Sequence, residues 1–253
     1  MYALVQVIGI AIATAINVYF GCKYGLKKSK SALFSVFTVM VLYMFLIAIP
    51  WIESGFKEMG EQNMIKVYAF SPIVFAIDCL VLKMDYRKVA DLHSLWAPLA
   101  HGLGHLACIF VGCCGGYNYL EGTKMYKIAY MLTGTDRLPL QIMESIGSLI
   151  VAAIIVIIAK KKDFKTNGRL GHLMLVIFGA QRIGWEFLRY NDKVIVFGPM
   201  SNAVDGDFGI SYLTLYAVGS VLVGSAFLIA FHFIDKKKAQ EQSADNAKKK
   251  IAK

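Results

Sequence analysis

Arg182, Glu186 and Arg189 fall at i, i+4 and i+7 of an apolar stretch, so on a helix they share one face. A guanidinium is a permanent cation whose donor fork matches a phosphate, and a carboxylate one turn away can orient it or accept a proton. Charges inside an apolar helix are costly and are read as functional by default. A structural ion pair that satisfies itself is the other reading of this spacing. A second set lies in His101-Gly-Leu-Gly-His105-Leu-Ala-Cys108, followed by Gly112-Cys113-Cys114-Gly115-Gly116. His101, His105 and Cys108 can form a metal-binding face. The run lacks a CxxC or HExxH pattern, so neither a metal nor a cofactor is expected. The glycines permit close helix packing, or a bend whose N–H groups meet an anion. Cys113 and Cys114 are expected to pack or to form a redox-sensitive pair rather than a covalent intermediate, because no activating base is assured beside them. Gln141 and Glu144 open a further apolar run.

These residues sit in a chain of 253 residues, 57% hydrophobic and 17% charged, where a soluble domain carries about a quarter charged residues. That balance excludes an ordinary cytosolic domain and a disordered chain. The net charge of +10 is gathered in short clusters between apolar runs, a pattern set by membrane insertion, so no nucleic-acid partner is expected. Five cysteines, an odd number, give no disulfide framework. No cleavable leader is expected, since no basic residue precedes the apolar start from Met1 to Cys22.

The sequence predicts an all-α polytopic membrane bundle. Spanning takes roughly 20 mostly apolar residues, which gives seven segments: Tyr2–Gly21, Ser31–Trp51, Ile65–Leu82, Ser94–Cys114, Gln141–Ala159, Gly171–Arg189 and Ile210–Ile234. The first, second, fifth and seventh are clear. The third holds Pro72 and Asp78, the fourth His101 and His105, and the sixth Arg182 and Glu186. A six-helix count with a re-entrant third segment competes. Basic clusters after segments one, three, five and seven hold most of the 27 Lys and Arg, which places those ends in the cytoplasm and the N-terminus outside. Residues 1–235 then form the transmembrane domain, and 236–253 a basic, disordered cytoplasmic tail. Asp78 is expected to be paired or hydrated near its helix end, and His93, His172 and His232 to be bystanders. In this arrangement Arg182, Glu186, His105, Gln141 and Glu144 reach similar depth in the outer half of the bilayer, Arg182 ~10 Å and His105 ~15 Å below the boundary. A cavity for a lipid head group requires such a shared depth.

Three stretches resemble the prolipoprotein diacylglyceryl transferase family. The run Gly104-His-Leu-Ala-Cys-Ile-Phe-Val-Gly-Cys-Cys-Gly-Gly116 is similar to its Gly-Arg-x-Gly block, in the branch that carries Gly-Cys-Cys. Leu138-Pro-Leu-Gln-Ile-Met-Glu144 is similar to its Pro-x-Gln-x-x-Glu, and Gly179-Ala-Gln-Arg182-Ile-Gly-Trp-Glu186-Phe-Leu-Arg189 to its Arg-x-x-x-Glu-Phe-x-Arg. They occur in the family's order. His105 stands where the block has arginine, Ala107 where it has glycine, and Val67-Tyr-Ala-Phe-Ser-Pro-Ile-Val74 shows no His-Gly-Gly.

The resemblance implies a multi-pass enzyme of the bacterial plasma membrane. Its partners would be phosphatidylglycerol, lipoprotein precursor signal peptides and membrane lipids. It would move a diacylglyceryl group onto a lipobox cysteine, forming a thioether and releasing glycerol phosphate. It further implies catalytic roles for Arg182, Glu186 and His105, and substrate contacts for Glu144, Gln141, Gly116, Cys113 and Arg189. A diverged member using another acceptor, or a non-catalytic phospholipid-binding or transport protein, are the alternatives.

Overall fold

The computed structural model describes residues 2–57, 63–110, 115–189, 195–199 and 207–251. It is helical apart from one short antiparallel ribbon. The elements are α1 (Tyr2–Lys23), α2 (Lys28–Glu53), α3 (Met64–Ala69), α4 (Ser71–Leu82), α5 (Tyr86–Cys108), α6 (Lys124–Thr133), α7 (Leu140–Lys161), α8 (Arg169–Glu186), β1 (Ile195–Pro199), β2 (Asp207–Ile210) and α9 (Tyr212–Ile251). In the ribbon Ile195 pairs with Ile210 and Pro199 with Asp207.

Among the described residues four helices are long and apolar enough to cross a membrane: α1, α2, α7 and α9. These are the four segments whose apolarity is unambiguous in the sequence. Their outer faces expose Leu4, Val7, Leu33, Met40, Ile150, Ile157, Leu215 and Leu222, a spread of apolar surface that soluble monomers rarely show. The more polar helices lie inside this wrapping. α5 packs against α1, α4, α7 and α8, and every residue from Val89 to Pro98 is buried. Protein rather than lipid surrounds it, so its polar groups find partners.

Asp91 is the clearest case. Its carboxylate accepts from Thr166 Oγ1 at 2.5 Å, Gly168 N at 2.9 Å and Leu170 N at 3.0 Å, satisfying N–H groups that the start of α8 would otherwise leave open. Asp78 is paired, as expected. Its Oδ2 accepts from Thr38 Oγ1 and meets His93 Nε2, each at 2.7 Å, which ties α4 to α2 and α5. His93 is therefore a buried partner rather than the bystander the sequence suggested. His172 is also fully buried, with its ring stacked 4.5 Å from Phe227.

Several boundaries differ from the sequence reading. The third segment breaks at Phe70 into α3 and α4, because Pro72 lies in the first turn of α4 and has no N–H to give a continuous helix. α5 begins at Tyr86 rather than Ser94, since the Asp85 side chain caps it through Arg87 N and Lys88 N. α6 is an additional helix in the connection before α7. The expected disordered tail instead continues α9 to Ile251. Its Ala, Lys, Gln and Glu residues are strong helix formers, and they extend a helix already nucleated by the apolar half.

The basic clusters converge at one end of the bundle. Lys30 Nζ reaches Lys83 O at 3.4 Å, and Asp235 pairs with Arg87 at 2.7 Å and Arg169 at 2.8 Å.

Candidate active site

Close packing of α5 on α7 sets the first half of the site. Ser145 Oγ donates to Gly102 O at 2.6 Å. A Cβ on Gly102 would stand 3.1 Å from Ser145 O, tighter than most side chains accept. That approach brings the last turn of α5 against the second turn of α7. His105 Nδ1 lies 3.4 Å from Glu144 Oε2, and His101 stacks on His105 with ring centroids 4.3 Å apart.

α8 supplies the other half. Arg182 Nη1 donates to both Glu144 oxygens, at 2.9 and 3.0 Å, and Arg182 Nη2 lies 2.5 Å from Glu186 Oε1. Arg189 Nη2 donates to Glu144 Oε1, and its Nε lies 3.5 Å from Glu186 Oε1. Ser211 Oγ, just before α9, donates to Glu186 Oε2 at 2.7 Å. Two guanidiniums and two carboxylates thus form a neutral quartet in which each member is at most 4% exposed. Full pairing offsets the desolvation that would otherwise exclude these charges from the interior.

Backbone pairing holds Arg189 in place although it lies beyond the end of α8. Tyr117 N donates to Leu188 O and Gly116 N to Leu138 O, which sets Gly116 opposite Arg189. A Cβ at Gly116 would meet Leu138 Cβ and Leu188 O, both at 2.9 Å. Only glycine fits without displacing a neighbour. Tyr117, Tyr119, Leu138 and Leu140 form a small apolar cluster beneath this bridge. Burial there pushes the Tyr119 phenol up from its usual range, so it stays protonated.

Of the residues singled out from sequence, the structure brings His105, Glu144, Arg182, Glu186 and Arg189 into one network, with Gly116 bridging Arg189. Gln141 is buried in the first turn of α7, one helical turn before Glu144. Cys113 and Cys114 lie outside the described residues. Ser211 went unnoticed, because a lone serine before an apolar run carries no distinguishing pattern. The sequence pattern singles out His101 only as part of a metal face with His105 and Cys108.

Among the described residues a possible ligand set is His101, His105 and Glu144, whose ligand atoms lie within 4.8 Å of one another, and Cys108 is not part of it. Both Glu144 oxygens already accept from guanidiniums, whose charges oppose a dication.

His101, Glu144, Ser148, Phe178, Gln181, Arg182 and Trp185 enclose a cavity of about 10 Å³, room for about one water. Facing this region, Arg182 Nε, His101 Nδ1, Gln181 Oε1 and Trp185 Nε1 are buried without a hydrogen-bond partner among the described residues. Unspent buried donors and acceptors are unusual and call for an explanation.

A model of the family described as prolipoprotein diacylglyceryl transferase matches residues 67–230. A phosphatidylglycerol–prolipoprotein diacylglyceryl transferase from Clostridium tetani (strain Massachusetts / E88) is 30% identical over 118 residues. That stretch covers 44% of this chain and 45% of that protein, so the chain spans under half the length of this curated relative.

Proposed function

The chain belongs to the prolipoprotein diacylglyceryl transferase family, and we propose that it transfers the diacylglyceryl group of phosphatidylglycerol to the thiol of a lipobox cysteine in lipoprotein precursors. The observation that carries this reading is the Arg182 guanidinium, 4% exposed, held by two carboxylates, its Nε beside a small cavity and without a hydrogen-bond partner among the described residues. In the proposed substitution the substrate thiol loses its proton and its sulfur bonds to the glyceryl carbon. The bond from that carbon to the phosphate oxygen breaks, and glycerol phosphate leaves with the electron pair. A fixed, desolvated cation lowers the barrier to that charge development far more than a hydrated one.

Glu144 accepts from Arg182 Nη1, one arm of the fork that a phosphate would take, and Glu186 holds the other arm. Exchange of Glu144 for phosphate at Arg182 keeps the guanidinium paired throughout, while Glu186 and Ser211 hold its orientation. Arg189, Gln141 and Gly116 line the same region, and His105 stands where it can take the thiol proton or meet the phosphate. The bundle crosses a bacterial plasma membrane seven times, through α1, α2, α3 with α4, α5, α7, α8 and α9. Its N-terminus is outside and its Lys-rich end cytoplasmic. Residues 1–235 form the membrane domain.

The test is Arg182→Lys, which keeps the charge and removes the fork. With labelled phosphatidylglycerol and a lipobox peptide, transfer falls by about a hundredfold or more, the scale of losing one charge-stabilising donor. The melting temperature in detergent serves as the control for folding. Transfer retained at the unsubstituted rate overturns the assignment of Arg182. Transfer to a peptide whose lipobox cysteine is alanine overturns the assignment of the acceptor.

A further inference from the structure

The Lys-rich end of the bundle carries a second, much larger cavity, remote from Arg182 and formed where the end of α7, the α7–α8 connection and α9 meet. Its volume is about 700 Å³, within the roughly 300–1,000 Å³ typical of ligand sites. Ile158, Leu173 and Leu228 give it an apolar floor, and Lys162, Lys165 and Lys238 stand on its rim. Asp235 also lines it, but that carboxylate is already engaged by Arg87 and Arg169. None of the three lysines has an ion-pair partner among the described residues.

The rim is held in shape by the core beneath it. Asp163, Phe164 and Asn167 have φ of 46°, 56° and 52°, backbone that non-glycine residues seldom adopt. Phe164 is gripped by Tyr24 and Phe20, at ring centroids 5.2 and 6.0 Å away. The N–H groups of Gly168 and Leu170 are fixed by Asp91. Lys162 and Lys165 are therefore carried on an ordered loop, which reduces the ordering cost of binding.

A free polyanion would have no use for the apolar floor, and a neutral apolar ligand none for three unpaired cations. The combination suits an amphiphilic anion at a membrane boundary. We propose that this groove holds a resident anionic phospholipid of the leaflet at the Lys-rich end, distinct from the lipid consumed at the proposed active site. Its phosphate lies among Lys162, Lys165 and Lys238, and an acyl chain runs along Leu173 and Leu228. The site needs no transfer chemistry and stands whether or not Arg182 is catalytic.

The test is native mass spectrometry of the full chain, delipidated in neutral detergent and titrated with phosphatidic acid or phosphatidylcholine. The unsubstituted protein retains phosphatidic acid and not phosphatidylcholine. The Lys162→Gln, Lys165→Gln, Lys238→Gln variant binds one phosphatidic acid fewer, with affinity for that lipid down about tenfold or more. Arg182→Lys does not lose that lipid. Leu173→Trp, which fills the floor and leaves every lysine in place, loses the same lipid, so the outcome does not hang on one variant. Transfer to the lipobox peptide is measured in parallel and persists in the triple variant; its absence from the unsubstituted protein would count against the transferase alone. Equal retention by the triple variant, equal retention of phosphatidylcholine, or displacement of the lipid by millimolar inorganic phosphate each overturns the proposal.

Discussion

Glu144→Gln tests the buried quartet most directly. The substitution keeps the shape of the side chain but removes one of the two carboxylates that, among the described residues, face Arg182 and Arg189, 4% and 3% exposed. Removing one partner of a buried ion pair costs about 3–5 kcal/mol. The glutamine oxygen can still accept one guanidinium N–H, a recovery of about 1 kcal/mol, so the expected loss is about 2–4 kcal/mol. For a chain of this size each kcal/mol moves the melting temperature by about 2–4 °C, which predicts a fall of roughly 4–16 °C. The assay is thermal unfolding of purified protein in detergent, followed by tryptophan fluorescence. Adding Arg189→Gln restores a one-to-one balance of charge. The double variant should be more stable than the sum of the single losses by about 1–3 kcal/mol, the range for residues within one network. A fall of less than about 2 °C for Glu144→Gln, or strictly additive losses in the double variant, refutes the reasoning.

Gly116→Ala places a Cβ 2.9 Å from Leu138 Cβ and Leu188 O. It should lower stability by about 1–3 kcal/mol and reduce transfer by shifting Arg189, measured by melting temperature and by labelled-lipid transfer. His105→Ala should reduce transfer about tenfold or more, while His105→Arg, which supplies the guanidinium of the family's block, should retain it if the residue meets phosphate. Transfer by His105→Arg as weak as that of His105→Ala would assign the histidine to proton transfer instead.

The four outer helices were legible because lipid-facing surface must be apolar, so α1, α2, α7 and α9 announce themselves by composition alone. α5 and α8 were harder because their environment is protein. Asp91, His101, Arg182 and Glu186 lower the apolarity of these helices, and Asp91 and Arg182 are paired by groups from other segments, Thr166 and Glu144, that no local window contains. The candidate site residues stand out through charge type and helical spacing, and Arg182, Glu186 and Glu144 do meet. Ser211 and the Asp78–His93 pair do not stand out, since each depends on a contact between distant segments. The break at Phe70 was foreshadowed by Pro72, whereas α6 carries a mixed apolar and basic pattern too short to stand out.

The internal position of Asp91 also bears on how the chain is made. Its partners Thr166, Gly168 and Leu170 follow it by 75, 77 and 79 residues. At about 5–20 residues per second, they leave the ribosome roughly 4–16 s after Asp91 does. A carboxylate on an otherwise apolar helix is costly to bury until it is paired, so Asp91 lacks the partners that satisfy it until the start of α8 is made. Glu144 is in the same position for a shorter time, because Arg182 follows it by 38 residues. Asp91 therefore stays without these partners while α7 and the start of α8 are synthesised. Because α5, α7 and α8 each hold part of the candidate site and α8 comes last of the three, assembly of that site is a late event in the birth of the protein.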